Sequence, residues 1–274
     1  MKINDLEAKA LWVRQQLWKM TMKAGRGHLP SCYSCVEIVV ALYYSVLVKN
    51  LSGLPDRDRV IISKGHGGAV LYPVLADLGY FPMEELNHYC EPGALLGMYA
   101  SPKVPGVEAL SDSLGHGLGI GAGMALAAKQ NGQSHRVFVI LGDAECDEGS
   151  IWETASFACN YKLNNLIAIV DINKLGILGK PMSGARYELL SKLGAFGWGC
   201  SYAKGHDFEN LLGSFDACRR DHHPTLDRPQ VILADTVKGK GISFMEGKAE
   251  WHNKIPDQSL QMLGRLELGL EKEE

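Results

Sequence analysis

The spacing of apolar residues predicts a helix at the start of the chain. Between positions 6 and 24 they recur at steps of three and four, which places them on one face of a helix that ends near Gly25. A second helix is expected over residues 34–49, and a third helical run ends near Leu78. The apolar face of the first helix consists of Leu6, Ala10, Val13, Leu17, Met20 and Ala24.

Short apolar runs predict the strands of a sheet. The central two are apolar throughout, which is typical of parallel strands covered by helices on both faces. Helices are expected at 149–161 and 208–219, and a charged, periodic tail begins at Asp257. The fold class is therefore expected to be α/β, a doubly wound, mostly parallel sheet in one domain over residues 1–274, with an N-terminal helical segment. The strands are expected at 59–63, 136–141, 166–171 and 230–235.

Composition narrows the class of protein. With 274 residues, 46% hydrophobic and 22% charged, the chain is neither disordered nor a small disulfide scaffold. The 28 basic residues nearly balance the 31 acidic ones, so we expect no nucleic-acid or membrane partner. The most apolar stretch, residues 35–48, falls short of the roughly 20 residues that span a bilayer. A cytoplasmic location is expected.

The seven cysteines are expected to be reduced thiols, because their number is odd and no export signal precedes them. Cys32 and Cys35 form a C-x-x-C, which could hold zinc or carry redox chemistry. No second pair follows, and packing is the favoured interpretation.

Polar residues follow two of the expected strands directly. Asp143 comes after one strand and Asn173 after the next, so their side chains should meet at one edge of a parallel sheet. Their oxygens suit Mg²⁺ or Ca²⁺ but are too few alone, and phosphate oxygens would complete the shell. Gly142 allows close approach of a diphosphate, and a helix beginning near Gly149 offers its positive end. A turn with only structural meaning stays the alternative.

Two segments of the chain resemble the thiamine diphosphate motif of transketolases. Residues 142–153 stand where that motif opens with Gly-Asp-Gly, and residues 171–175 contain the asparagine that closes it about 30 residues later. Further matching segments fall in transketolase order along nearly the whole chain. They are residues 25–28, 56–59, 64–67, 105–108, 113–117 and 251–252.

The resemblance implies the amino-terminal, thiamine-diphosphate-binding half of a transketolase, encoded as a separate subunit. Its partner would be a carboxy-terminal, pyrimidine-binding subunit in an α₂β₂ assembly. Asp143 and Asn173 would bind Mg²⁺ through their side chains and Leu175 through its carbonyl. Gly142 and Ala144 would lie against the diphosphate.

The resemblance also assigns catalytic residues. His66 and His252 match histidines that hold the cofactor phosphates and approach the reacting centre, and His28 matches a histidine that faces the substrate. Imidazoles suit proton transfer among sugar hydroxyls near neutral pH. The cofactor ring itself supplies the electron sink for C–C cleavage.

Further matches lie near the expected subunit interface. Glu148 and Glu153 match acidic residues that connect two cofactor sites across it, and Glu148 is assigned to both catalysis and cofactor binding. Leu114 matches the residue beneath the aminopyrimidine, followed by Gly115 of the same cofactor-binding loop.

Three departures from the family pattern stand out, one at the cofactor and two on the substrate side. Ala144 replaces a glycine and requires a negative φ. Met98 and Tyr99 stand in residues 97–100, where transketolases usually carry Gly-His-Pro with a donor-binding histidine. Asp112 precedes the Ser-Leu-Gly in place of a glycine. These changes predict a specialised donor or acceptor.

The expected activity is transfer of a two-carbon ketol unit between small sugar or ketose substrates. One alternative delivers the two-carbon unit to a lipoyl or carrier-protein thiol, as 2-oxo acid dehydrogenases do. Another is a non-catalytic scaffold. The role of His116 is left open, and no role is expected for the remaining histidines, His88, His135, His206, His222 and His223.

Overall fold

A parallel sheet forms the centre of the molecule. The computed structural model describes residues 1–47, 56–110, 112–176, 186–218 and 227–270, and within them the sheet has five strands in the order β1-β2-β3-β5-β4. All neighbouring strands are parallel. The strands are β1 (Arg59–Ile62), β2 (Val137–Gly142), β3 (Leu166–Ile172), β4 (Gly199–Lys204) and β5 (Gln230–Asp235).

Helices connect the strands in the manner of a wound α/β fold. The α-helices are α1 (Ile3–Ala24), α2 (Leu29–Tyr33), α3 (Val36–Ala41), α4 (Leu71–Asp77), α5 (His116–Gln130), α6 (Gly149–Asn160), α7 (Arg186–Ala195), α8 (Phe208–Cys218) and α9 (Gln258–Glu267). A π-helical turn, Leu42–Val46, continues α3. Short 3₁₀ helices lie at Gly65–Val70, Met83–His88, Ala144–Asp147 and Ala249–Trp251.

Two separate apolar cores cover the two faces of the sheet. One contains Ile62, Phe138 and Ile169 from the strands, with side chains of α1 to α4 and α8. The other contains Ile61 and Val139, which point the opposite way because alternate residues of a strand face opposite sides, together with side chains of α5, α6 and α7. This confirms the doubly wound parallel fold.

Strand β4 is absent from the sequence prediction. It lies at the edge of the sheet, and only Gly199 and Ala203 of its six residues are buried. Such a strand lacks the continuous apolar run by which the other strands are recognised.

The helix expected over residues 34–49 begins two residues later, at Val36, and continues through the π-helical turn to Val46, with a separate short helix before it. The chain forms the short helix α2 and then begins α3 at Val36, with Ser34 at the junction. The Ser34 hydroxyl donates a 2.6 Å hydrogen bond to the Asp171 carboxylate, so the junction is fixed by a tertiary contact. The ends of two expected helices, positions 49 and 219, lie outside the described residues.

The described helices include none that combines the length and apolarity needed to cross a membrane. All seven cysteines are free thiols. Burial raises the pKa of Cys32 to about 12 and that of Cys35 to about 11, so both stay protonated. The packing interpretation of this pair therefore fits the structure.

Candidate active site

The carboxyl ends of β2 and β3 bring the expected metal ligands together. Gly142 pairs with Asp171 in the sheet register, so Asp143 and Asn173 follow at the same edge. The Asp143 carboxylate accepts a hydrogen bond from the Lys174 amide at 2.5 Å and thereby ties the two strand ends. Parallel pairing thus places oxygen donors from positions 30 residues apart in one small region.

A buried ion pair lies beneath these ligands. Lys64, which follows β1, pairs with Asp171 of β3, and both side chains are almost inaccessible to solvent. The Lys64 ammonium also donates to the Ser31 carbonyl at 2.7 Å, and Thr236 donates to Asp171. Although burial alone would raise it, the neighbouring ammonium holds the pKa of Asp171 below its usual range. The charges of this pair are therefore compensated by each other and by hydrogen bonds, and the pair connects the ends of β1 and β3.

One glycine permits that ion pair. A Cβ at Gly67 would lie 2.8 Å from Lys64 Cε and 3.3 Å from the Ser31 carbonyl oxygen. A larger residue would displace the lysine, because real Cβ atoms do not approach other atoms so closely. Gly67, the second glycine of this Lys-Gly-His-Gly segment, is therefore required by packing.

The ionised form of Asp143 is disfavoured in this position. Burial, and then the nearby Asp171 carboxylate, raise its pKa to about 6. Added positive charge beside Asp143 would stabilise its ionised form, since an opposite charge favours ionisation. A divalent cation supplies that charge.

Glu145 joins the glycine loop before α5 to the end of β2. Its carboxylate accepts hydrogen bonds from the Gly115 amide and the Gly142 amide, each at 2.9 Å, and from the Ser63 hydroxyl. Gly115 has φ +80°, a left-handed conformation that suits glycine. The acidic side chain therefore holds two expected cofactor-binding glycines in place.

The three expected catalytic histidines form one cluster. The ring of His28 lies 5.8 Å from that of His66 and 5.3 Å from that of His252, measured between centroids, and the last two rings are 5.3 Å apart. Burial, followed by the nearby Lys64, lowers the pKa of His66 to about 2. Burial, followed by Lys238, lowers the pKa of His252 to about 4, and the same causes lower that of His28. All three rings are therefore neutral near pH 7.

Lys238 connects the histidines to the strand ends. Its ammonium donates to the Leu175 carbonyl at 3.0 Å and to Nδ1 of His252 at 2.9 Å. A neutral ring that accepts at Nδ1 carries its proton on Nε2, so His252 offers an N–H donor at that atom. Burial, and then repulsion by Lys64, lower the pKa of Lys238 to about 8. An anion beside Lys238 would stabilise its charged form.

Other expected cofactor residues border the same region. Ala144 begins a 3₁₀ helix, where φ is negative, so its methyl group is tolerated. Leu114 is half-buried beside the buried Gly115. Glu148 stands at the N-terminus of α6, and both it and Glu153 are exposed. The acidic pair is thus accessible to another chain.

The substrate-side departures occupy different places. The Tyr99 ring lies 6.1 Å from that of His28, so it borders the histidine cluster. Met98 is half-buried beside it, whereas Asp112 is exposed. Of these positions, Tyr99 has the clearest structural link to the expected substrate side.

The remaining histidines lie elsewhere. His88 contacts Glu91, His135 contacts Asp56, and His116 is exposed. His206 contacts Glu37 and Val237, a connection that the sequence pattern does not reveal. His222 and His223 lie outside the described residues.

Sequence reasoning missed Lys64, Lys238 and Glu145 as site residues. Lys64 lies two residues after the end of β1, and Lys238 lies three residues after the end of β5. A lysine at the carboxyl end of an apolar strand is an available signal, because ligands gather at that edge of the sheet. Glu145 offers no comparable signal, since two of its hydrogen-bond partners, Ser63 and Gly115, are brought to it only by the fold.

The donor set fits a hard cation that takes part of its shell from a diphosphate. Within the described ranges no three acidic, histidine or cysteine side chains are grouped to hold a metal alone. Asp143, Asn173 and the Leu175 carbonyl supply oxygen donors of the kind that Mg²⁺ prefers. The Lys238 ammonium favours an anion beside it, whereas the Lys64 ammonium is already paired with Asp171.

Comparison with known proteins identifies the family. Residues 10–273 match the family described as "Transketolase, thiamine diphosphate binding domain". The chain is 35% identical over 263 residues to one of the subunits of the apulose-4-phosphate transketolase of Phocaeicola vulgatus, covering 93% of this chain and 91% of that one. It is 37% identical to a "6-deoxy-6-sulfo-D-fructose transketolase subunit" of Clostridium sp., covering 91% and 90% of the two chains.

Single-chain transketolases match only in part of their length. The chain is 37% identical to the transketolase of Mus musculus, over 92% of this chain and 40% of that protein. The crystal structure of transketolase from Campylobacter jejuni superimposes with a TM-score of 0.89 at 26% identity, over 98% of this chain and 43% of that one. The chain therefore spans about two-fifths of these larger relatives.

These matches confirm the expected cofactor, thiamine diphosphate, and the expected enzyme class, a transketolase-like transferase. The two relatives from Phocaeicola vulgatus and Clostridium sp., which match over about nine-tenths of their length, are named as subunits, in agreement with the expectation of a separate amino-terminal chain. The chain belongs to the transketolase family, as its thiamine diphosphate binding domain.

Proposed function

We propose that the chain is the diphosphate-binding subunit of a two-chain, Mg²⁺-dependent transketolase that transfers a two-carbon ketol unit to or from a specialised sugar. The observation that carries this proposal is the meeting of three oxygen-donor positions with two buried lysines at one sheet edge. The partner is a pyrimidine-binding subunit in an α₂β₂ assembly. The cytoplasmic location and the single domain stay predictions.

The residues divide the work between holding and proton transfer. Asp143, Asn173 and the Leu175 carbonyl would hold Mg²⁺, with Gly142 and Ala144 against the diphosphate. When bound, thiamine diphosphate supplies the electron sink for C–C bond cleavage.

The histidines would serve the substrate. His252 donates from Nε2, because Lys238 occupies Nδ1. His28 is half-buried, and its Nδ1 is inaccessible and without a hydrogen-bond partner, so a substrate hydroxyl would meet the ring at Nε2. His66 stays neutral and can accept or donate a hydrogen bond beside both. Glu148 and Glu153, exposed at the start of α6, would face the partner subunit.

Replacement of the metal-binding carboxylate tests the proposal. Asp143→Asn should weaken Mg²⁺-dependent binding of thiamine diphosphate by about 100-fold, since a neutral amide oxygen replaces the charged carboxylate and a change at the ligand itself should match or exceed the 10- to 100-fold loss typical of its outer partners. Isothermal titration of the complex with its partner subunit measures this. The matched control, Asp147→Asn on the same 3₁₀ helix, should bind normally. Unchanged binding by the Asp143 variant would refute the ligand assignment, and no binding by the wild-type complex would favour a scaffold.

The position of Tyr99 supports a specialised substrate. Gly97-Met98-Tyr99 stands where the family pattern has Gly-His-Pro, so this segment has no imidazole, and the Tyr99 phenol borders the histidine cluster. Near neutral pH neither a thioether nor a phenol takes up a proton as an imidazole does. Two close relatives are named for apulose 4-phosphate and 6-deoxy-6-sulfo-D-fructose. The same position also suits the carrier-thiol alternative. Assays of the complex with aldose phosphates and with a lipoylated carrier as acceptors distinguish these activities.

A further inference from the structure

A buried charged network outside the site holds the segment that carries Lys238. We call residues 237–241 the lysine segment. Arg14 of α1 and Glu37 of α3 form a two-pronged ion pair, with N–O distances of 2.8 and 2.9 Å. Both residues are buried, at 6% and 7% exposure. A paired arrangement of this kind fixes the carboxylate in one orientation.

His206 connects this ion pair to the first residue of the lysine segment. Its Nδ1 lies 2.8 Å from the Glu37 carboxylate, and its Nε2 accepts a hydrogen bond from the Val237 amide at 2.8 Å. A backbone amide can only donate, so Nε2 carries no proton and Nδ1 donates to Glu37. The contacts therefore specify a single neutral tautomer of His206.

The same network holds the far end of the lysine segment. Nε of Arg14 donates to the Lys240 carbonyl at 2.9 Å. The Gly239 amide donates to the Pro30 carbonyl at 3.0 Å, and Gly239 has φ +81°. Lys238 thus lies between a residue held by His206 and a residue held by Arg14.

The Lys238 side chain connects the lysine segment to the active site. From this held backbone, Lys238 extends to the Leu175 carbonyl and to Nδ1 of His252. We propose that His206 is a positioning residue, which holds the Val237 amide and so aims the Lys238 ammonium at the diphosphate side of the site. This inference rests on the proposed function, because the ammonium has its binding role only if a diphosphate occupies that place.

Two substitutions of His206 separate positioning from simple packing. A glutamine can put its amide oxygen near the place of Nε2 and still accept from Val237. An asparagine reaches only the nearer position of Nδ1, so it can contact Glu37 but not Val237. His88→Asn is the matched control, since His88 is exposed and far from the lysine segment in sequence.

The experiment measures amide hydrogen exchange at Val237 in the cofactor-free full chain. His206→Asn should speed exchange there by about tenfold or more, whereas His206→Gln should stay within about threefold of wild type. Affinity for thiamine diphosphate with Mg²⁺, measured on the complex with the partner subunit, should fall about 10- to 100-fold in the asparagine variant only. Melting temperatures of both variants show whether stability falls equally.

Exchange at wild-type rates in His206→Asn would overturn the proposal. Faster exchange with unchanged cofactor affinity would overturn it as well, because His206 would then hold the backbone without affecting the site. So would equal losses of affinity in both variants together with equal losses of melting temperature. A wild-type complex that binds no thiamine diphosphate would refute the proposed function instead, and exchange at Val237 would still decide whether His206 holds the segment.

Discussion

Two adjoining regions of the site differ in charge. We call the buried ion pair of Lys64 and Asp171 with its hydrogen-bond partners the strand-end network, and His28, His66 and His252 the histidine cluster. In the network, Lys64 and Asp171 are fully buried charges with partners from several elements. In the cluster, the rings are neutral, and Nδ1 of His28 is buried without a partner. Buried charge has to be satisfied before a ligand arrives, because an unpaired buried charge is costly. Neutral imidazoles can keep bonding capacity for the substrate.

The largest effect should come from breaking the network. Lys64→Met leaves the Asp171 charge buried without its cation, and we expect the free energy of unfolding to fall by about 3–5 kcal/mol. Thr236→Val removes only one hydrogen bond to the same carboxylate and should cost about 1.5–3 kcal/mol. Urea denaturation of the cofactor-free chain measures both.

The control is an exposed ion pair. Glu188 and Lys192 pair at 2.6 Å on α7 with side chains 48% and 42% exposed. Glu188→Gln should change the free energy of unfolding by about 0.5 kcal/mol or less. If Lys64→Met lowered the free energy of unfolding no more than this control does, the ion pair would not stabilise the strand ends.

The second largest effect should be a loss of stability at acid pH through the histidine cluster. His66 titrates near 6.5 when unfolded, and burial, then Lys64, lower its pKa to about 2 in the fold. Its contribution to stability is therefore complete above pH 6.5 and is lost as the pH falls, because the unfolded state then binds the extra proton. Between pH 6.5 and 5 the loss should be about 2 kcal/mol.

Denaturation curves at several pH values measure that loss. His66→Asn should flatten the slope of stability against pH in this window, whereas exposed His116→Asn should keep it. An unchanged slope in the His66 variant would show that the pKa of His66 does not differ between the folded and unfolded chain, contrary to the shift expected from its burial.

The smallest effect on stability should come from His28. His28→Leu removes a buried nitrogen that has no partner, so the free energy of unfolding should stay within about 1 kcal/mol of wild type. Turnover by the reconstituted complex should nevertheless fall by about 10²- to 10⁴-fold, the usual contribution of a proton-transfer group. Large destabilisation with normal turnover would reverse the comparison and make His28 a structural residue.

Much of the fold follows from local sequence pattern. The apolar runs of β2 and β3 are long enough to be recognised, and the periodic face from Leu6 to Met20 specifies α1. Edge strand β4 escapes because half-exposed strands lack such a run. Ser34, between α2 and α3, is held by a contact with Asp171, which is 137 residues away in the chain. No local pattern records that contact.

The sequence by itself determined the family, four of the five described strands, and the oxygen donors at the strand ends. Those features depend on residue type and on short spacing. Only the tertiary structure decided that Lys64 and Lys238 lie beneath and beside those donors, that the three histidines are neutral, and that His206 contacts Val237. The physical reason is that charge state and hydrogen-bond partner depend on burial and on neighbours brought in from distant parts of the chain.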